Sequence, residues 1–286
     1  MNSRPTIFDR TLLRTRQIRA LAQGPATFLL DQVVSDLVER LAAVLRQFDR
    51  AADIGTPTDA LRRALTASGK VGAIAAADLR GDEALPLAEA SLDLAVSVLA
   101  LQFVNDLPGV LVQIRRALKP DGLLLGALAG GDTLTELRQA FAQAESEIEG
   151  GASPRVAPFA DLRDLGGLLQ RAGFALPVID SERVTVRYRD VVALMADLRR
   201  MGATSVLTER RRVPLRRSTL RRLTKIYAER FSDPDGRVRA TFEIIWLSGW
   251  APHESQQQPL QPGSAKVRLA DALGVQEIPA GDKAER

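Results

Sequence analysis

The stretch from Leu92 to Gly131, LDLAVSVLALQFVNDLPGVLVQIRRALKPDGLLLGALAGG, reads as strand, helix, strand. Leu92, Leu94, Val96 and Val98, with small residues between them, make a nearly continuous apolar run that suits a strand buried on both faces of a parallel sheet. Asn105 stands where a cap belongs, ahead of Leu107, Val110, Leu111, Ile114 and Leu118, which recur at helical spacing. Lys119-Pro120-Asp121-Gly122 reads as the tight turn that stops this helix, and Leu123 to Ala129 supplies the next strand. A right-handed crossover of this kind implies a doubly wound α/β sheet.

Upstream, apolar residues fall at helical spacing from Leu12 to Leu21 and from Phe28 to Phe48, broken at Gly24-Pro25. Residues 1–48 are therefore expected to form a helical cover on a domain running from 49 to 252. Asp49 to Gly55 reads as the first strand, Thr58 to Thr66 as a helix, Val71 to Asp78 as a second strand and Gly81 to Ser91 as a loop. Only 36 residues separate Gly55 from Leu92, too few for two helices, two strands and their turns. One βα unit is expected to be missing or vestigial, and Val71 to Asp78 is open to reading as either the second or the third strand of the complete pattern.

Downstream, Thr133-Leu134-Thr135-Glu136 fits a capping box for a helix ending at Glu149, and a further helix is expected from about Asp161 to Ala172. Alternation from Phe174 to Tyr188 and from Arg237 to Trp250 predicts an antiparallel edge pair, separated by an arginine-rich helical insertion over about 190–231. Residues 253–286 read as a polar tail.

Composition narrows the chemistry. A chain of 286 residues that is 45% hydrophobic can bury a full core. No cysteine is present, which excludes disulfides and thiolate catalysis, and the lone His253 cannot build any centre that needs two imidazoles, so no metal is expected. His253-Glu254-Ser255 has no accompanying elbow motif or triad order, and reads as a surface histidine. No apolar run approaches the roughly 20 residues of a membrane span. The arginine-rich, acid-poor opening through Ala20 has the composition of a mitochondrial presequence, but Asp9 and the helical pattern after it read as an ordinary helix, so the expected location is the cytoplasm. A net charge of +4 does not by itself imply nucleic acid. The excess is concentrated in Arg199, Arg200, Arg210, Arg211, Arg212, Arg216, Arg217, Arg221 and Arg222, a cluster suited to an acidic protein partner or an anionic membrane surface, or else a solvated helical face. It lacks the interleaved aromatics of an RNA surface.

Ligands of open α/β sheets bind beyond the carboxyl ends of the strands, which here are Asp53 to Thr56, Asp78 to Asp82, Leu101 to Asp106 and Gly130 to Asp132. This order of elements, with its LKPDG turn and final antiparallel pair, resembles the class I S-adenosylmethionine-dependent methyltransferases. The runs FDR (8–10), LALQFVNDLP (99–108), GGDTLTELRQAF (130–141), EGGASPRVAPF (149–159), RAGF (171–174) and HESQ (253–256) resemble, more narrowly, the mitochondrial complex I assembly factor 5 family, itself similar to the malonyl-carrier-protein methyltransferase of biotin synthesis. The resemblance covers nearly the whole chain. It implies a methyltransferase fold, S-adenosylmethionine as cofactor, and a protein client linked to arginine hydroxylation on a respiratory complex I subunit.

The usual cofactor loop reads D-x-G-x-G-x-G. Here Asp53-Ile54-Gly55 is followed by Thr56-Pro57-Thr58, so one glycine remains. The segment is either a cofactor pocket of altered shape or a plain strand-to-helix turn with Pro57 in its first turn. The resemblance places Asp53, Gly55, Thr56, Asp78, Leu101 and Gln102 at the cofactor. Gly130, Asp132, Arg210, Arg211, Arg212, Arg216 and Arg217 are candidates for contact with substrate or partner, the alternative for Asp132 being a helix cap. Two functions follow: an enzyme of the methyltransferase superfamily, or a catalytically degenerate fold that holds a client during assembly.

Overall fold

The computed structural model describes residues 6–79, 81–257 and 267–275; the remainder of the expected tail lies outside the described residues. These residues fall into two units divided after Pro252. In the second, Leu269–Leu273 is a short helix.

The first unit begins with α1 (Arg10–Ala22), capped by the Asp9 carboxylate, which accepts from the Leu12 amide, and α2 (Phe28–Ala42). The sheet elements follow: β1 (Phe48–Ile54), α3 (Ala60–Ala67), β2 (Val71–Ala77), β3 (Leu92–Val98), α4 (Leu107–Ala117) and β4 (Leu118–Ala129). Then come α5 (Thr135–Glu149), α6 (Leu162–Arg171), β5 (Ala175–Tyr188), α7 (Val191–Arg200), α8 (Arg217–Phe231) and β6 (Val238–Trp250). The six strands lie in the order β2-β1-β3-β4-β6-β5, with β2, β1, β3 and β4 parallel and β6 antiparallel to both β4 and β5. This is a Rossmann-like α/β sheet with a terminal antiparallel pair. Only a loop joins β2 to β3, so the βα unit expected to be missing is absent and β2 is left at the edge. Because β2 pairs with β1, it is the second strand of the pattern.

Alternation sends the two sides of each strand into separate cores. Leu94, Val96 and Val98 belong to the core that takes in the buried faces of α2, α5, α7 and α8, while Ala52, Ala95 and Leu124 belong to the one that takes in α4 and α6. A third, small core joins Phe8 and Leu13 to Phe103, Ala157, Val206 and Leu207, with Phe8 and Phe103 edge to face at 5.8 Å.

Several local expectations are corrected. The α4 cap is Asp106, whose carboxylate accepts from the Gly109 amide, and not Asn105. Lys119 to Gly122 does not stand between elements: it is drawn into β4 as an irregularity, with Asp121 at φ 61° and bonds to Ala251 on both sides. The capping box at α5 does not form. Leu134 precedes the helix in a left-handed conformation without a side-chain cap, and Glu136 instead accepts from the Thr241 amide at 3.1 Å. The arginine-rich insertion is two helices, α7 and α8, separated by an irregular run over 201–216.

Candidate functional site

Two cavities meet above the carboxyl ends of β1, β2 and β3. The larger, about 780 Å³, is lined on one side by Gly55, Asp78, Leu79, Gly81, Asp82, Glu83 and Ala100, and on the other by Thr6 to Arg14 and Thr208. That volume lies in the range of small-molecule sites. The second, about 120 Å³, is mostly apolar, walled by Leu21, Leu29, Leu30, Leu99, Phe103, Leu134, Phe159 and Phe242, with Pro57, Thr58, Gln102 and Arg200 among its few other groups. Gln17 of α1 lines both.

The roof of the larger cleft is held by a network around two residues that the sequence did not single out for this purpose. Glu83 is buried and sits at φ 63°, a costly conformation for a residue with a Cβ. Its carboxylate accepts from the Asn105 and Asp106 amides, both at 2.7 Å. Asn105 Oδ1 in turn accepts from the amides of Ile7 and Phe8, each at 2.8 Å, and its Nδ2 donates to the Phe8 carbonyl at 3.1 Å. Arg10 completes the tie, donating to the carbonyls of Phe103 and Leu79 at 3.3 and 3.4 Å with Glu83 3.9 Å away. The signal for Asn105 was present: Pro108 two positions after Asp106 marks Asp106 as the cap, which frees Asn105 for another task. Nothing local marks Glu83, whose partners lie more than twenty residues away.

The expected cofactor residues divide. Gly55, at φ 71°, lies in the cleft wall, where a Cβ would sit 3.3 Å from Ala100 Cβ. Asp78 is exposed in the same wall and makes no hydrogen bond among the described residues. Asp53 is buried beneath. Its Oδ2 accepts from Arg62 at 2.8 Å and its Oδ1 has no hydrogen-bond partner among the described residues. Burial pushes this carboxyl above the usual aspartate range, against the opposing pull of Thr56 and Arg62. Thr56 is also buried, its hydroxyl accepting from the Val98 amide at 3.2 Å, and it faces neither cavity. Leu101 points into the core with α4. Gln102 lines the apolar cavity rather than the larger cleft; its Nε2 donates to the Leu99 carbonyl at 2.8 Å and its Oε1 is buried with no hydrogen-bond partner among the described residues.

The expected substrate residues are not gathered at either cavity. A Cβ on Gly130 would collide with the Glu243 carboxylate, and this contact accounts for the glycine. Asp132 caps no helix; it is half exposed and paired with Arg183, while its amide donates to Glu243 at 2.9 Å. Arg210 pairs with Asp9 at 3.4 Å, Arg211 with Glu149, Arg222 with Glu147 and Arg200 with Asp197. Arg212, Arg216, Arg217 and Arg221 are exposed and form no ion pair among the described residues. Also among the described residues, no three histidine, aspartate or glutamate side chains are grouped to hold a metal, and no helix is long and apolar enough to cross a membrane.

Comparison with known proteins places this geometry. Residues 34–126 match the methyltransferase domain family. The chain is 36% identical to the human arginine-hydroxylase NDUFAF5, mitochondrial, over 98% of this chain and 87% of that protein. The aligned stretch runs to 301 positions, so the human protein carries positions with no counterpart among these 286 residues. The malonyl-[acyl-carrier protein] O-methyltransferase of Laribacter hongkongensis is 41% identical over 72% of this chain and 65% of its own length. A solved structure of a putative methyltransferase from Bacillus halodurans superposes with a TM-score of 0.51 at 17% identity, covering 77% of this chain and 99% of that one, which establishes the fold alone. The expectation of a cytoplasmic protein is corrected by these relatives, since the human protein that matches almost end to end bears a mitochondrial name and points to the mitochondrion. By identity sustained over nearly its whole length, the chain belongs to the arginine-hydroxylase NDUFAF5 family, built on the class I methyltransferase fold.

Proposed function

We propose that the chain binds S-adenosylmethionine in the larger cleft and acts there on a protein client, with arginine, the residue in the relatives' name, as the target side chain and a respiratory complex I subunit as the client. One observation carries the cofactor assignment: the cleft of about 780 Å³ at the strand ends has a glycine wall at Gly55 and an exposed carboxylate at Asp78. Asp78, at the end of the second strand, is placed to accept from paired hydroxyls of a ribose, and Gly55 lets the backbone approach the ligand as a larger residue would not. Asp53 sits under the loop and orients it through Arg62 and Thr56. When bound, the cofactor supplies an electrophilic methyl group. The residues of this chain would bind it, shut out water with the Thr6 to Arg14 roof, and open onto the apolar cavity beside Gln17 and Gln102.

A second reading, a factor that holds its client without chemistry, is favoured by one feature. The wall of the apolar cavity contains no carboxylate, imidazole, lysine or phenol to move a proton. In that case the exposed Arg212, Arg216, Arg217 and Arg221 serve as the surface for an acidic client or an anionic membrane.

Calorimetry of the full chain with S-adenosylmethionine tests the first reading. Saturable binding is expected, weakened about tenfold or more by Asp78→Ala, which removes a charged hydrogen-bond acceptor. Absence of binding by the unaltered chain overturns it.

A further inference from the structure

The arginines between 210 and 222 fall into two sets. Arg210, Arg211 and Arg222 are met by carboxylates of the chain itself, Asp9 at 3.4 Å, Glu149 and Glu147. Arg212, Arg216, Arg217 and Arg221 are exposed and form no ion pair among the described residues. This outward set burdens α8 in three ways. Arg217 and Arg221 are like charges one turn apart, and Arg216 and Arg217 stand at the end of the helix whose dipole disfavours cations. Arg216 also takes the cap position without a side-chain bond to the first turn. A small return comes at Glu149, whose carboxyl is held below the ordinary 4.5 first by the Thr219 hydroxyl, then by Arg211 and last by Arg216. Local rules broken together, with so little gained inside the fold, mark a surface kept for another molecule.

The spacing says what that molecule is. Arg217, Arg221 and Lys225 are all exposed and follow one another at four-residue intervals, about 6 Å of helix rise per step. They make one cationic stripe along α8. Its far end is balanced by Glu229, 3.7 Å from Lys225, and its near end is not. A lipid surface fits the stripe poorly. The apolar face of α8 is spent on the core, with Leu223, Ile226 and Tyr227 buried, and Val213 is the one large apolar side chain left exposed between 201 and 231. Helices that lie in a membrane interface bring an apolar face of their own. A second helix with carboxylates at the same four-residue interval fits the stripe charge for charge.

We propose that the α8 stripe docks an acidic helix of the client protein, with carboxylates repeating at four-residue intervals set against Arg217 and Arg221. The inference deepens the client-binding function proposed above and rests on it for its purpose, but it requires neither cofactor nor chemistry.

Anisotropy of two labelled helical peptides, titrated with the full chain in the absence of cofactor, tests this. Both are alanine-based and of one composition. In the first the glutamates recur every fourth residue and form a stripe; in the second they recur every fifth and wind around the helix. The first is expected to bind about fivefold more tightly, and more weakly as salt is raised. Arg217→Glu combined with Arg221→Glu is expected to weaken its binding about tenfold or more, with an unchanged circular dichroism spectrum, since acid suits the first turns of a helix. Arg163→Glu combined with Arg171→Glu makes the same charge change at exposed positions of α6 and is expected to leave the affinity within about twofold. No binding of either peptide, equal binding of both, or equal weakening by the two double variants overturns the proposal. So does a chain that ignores the peptides yet sediments with vesicles of anionic phospholipid through Arg217 and Arg221. A chain that binds S-adenosylmethionine but not the striped peptide loses this inference alone, and the converse result loses the cofactor reading alone.

Discussion

Asn105 shows how one side chain can carry a connection that its neighbours in sequence give no hint of. It accepts two amides and donates to one carbonyl of the Ile7–Phe8 segment, almost a hundred residues away. Replacing it by alanine leaves the exposed Ile7 N–H and the partly buried Phe8 N–H without this acceptor, at about 1–3 kcal/mol for a buried group of this kind. The Asn105→Ala chain is expected to lose about 2 kcal/mol in chemical denaturation and to be cut faster before α1 by a protease; an N-terminus as resistant as the wild type's argues against the tie. Glu145 makes a different case. It is buried with hydrogen bonds from Ser153 N–H at 2.7 Å, from the Ser153 hydroxyl and from Arg155 Nε at 2.7 Å. Burial alone would raise its carboxyl, but those bonds outweigh it and hold the group below the ordinary 4.5. A carboxyl depressed in the folded chain stabilises above its unfolded value and loses that contribution as pH falls through the folded one. Wild-type stability is therefore expected to decline on acidification below about pH 4.5, and Glu145→Gln to show a shallower decline from a lower starting point. Equal slopes in acid titrations monitored by denaturation would count against this role.

At the scale of elements, α8 begins poorly. Arg216 occupies its cap position at φ −66° and ψ 145°, with no side-chain bond to the first turn, and basic residues are disfavoured at a helix N-terminus. Arg216→Ser supplies the missing acceptor and is expected to raise stability by about 0.5–1 kcal/mol, read as an upward shift in Tm. An unchanged Tm shows that the first turn is already satisfied. The strands were legible because buried apolar runs such as Leu92–Val98 and Leu123–Ala129 have no other physical reading, and the missing unit was legible from residue counting. Caps were less so: Asn105 and Asp106 compete for one position, and Thr133 chose the backbone of Glu243 over its own helix. The runs that fix the family are structural for the same reason. GGDTL packs on Glu243 through Gly130 and Thr133, and the EGGASPR run supplies Ser153 and Arg155 to Glu145. Thr133 and Leu134 of the first run also line the apolar cavity, while Gly55 and Asp78 reached the larger cleft because the position of a strand end is a property of the fold. Glu83 and Gln17 escaped notice since only tertiary contact brings them to the site.

For the molecule as a whole, the cleft is assembled from segments far apart in the chain, from Thr6 to Thr208, so ligand binding and folding are coupled. With S-adenosylmethionine at about a hundred times its Kd, the unfolding free energy is expected to rise by about 2.7 kcal/mol. An unshifted denaturation curve at saturating cofactor would mean that the folded and unfolded chains bind it alike, which a pre-formed cleft forbids.

One strand-like contact in the roof carries a consequence for how the protein is made. Phe8 pairs with Leu207, and the Asp9 amide donates to the Val206 carbonyl at 2.8 Å. A chain emerging from the ribosome N-terminus first presents Phe8 long before Leu207 exists, at about 5–20 residues per second. For on the order of ten seconds the residues of β1, β2 and β3 have been made while the Leu207 contact that closes the roof has not. The roof therefore cannot close before Leu207 has been made, and a ligand bound in the cleft, as proposed, would be enclosed only after that point.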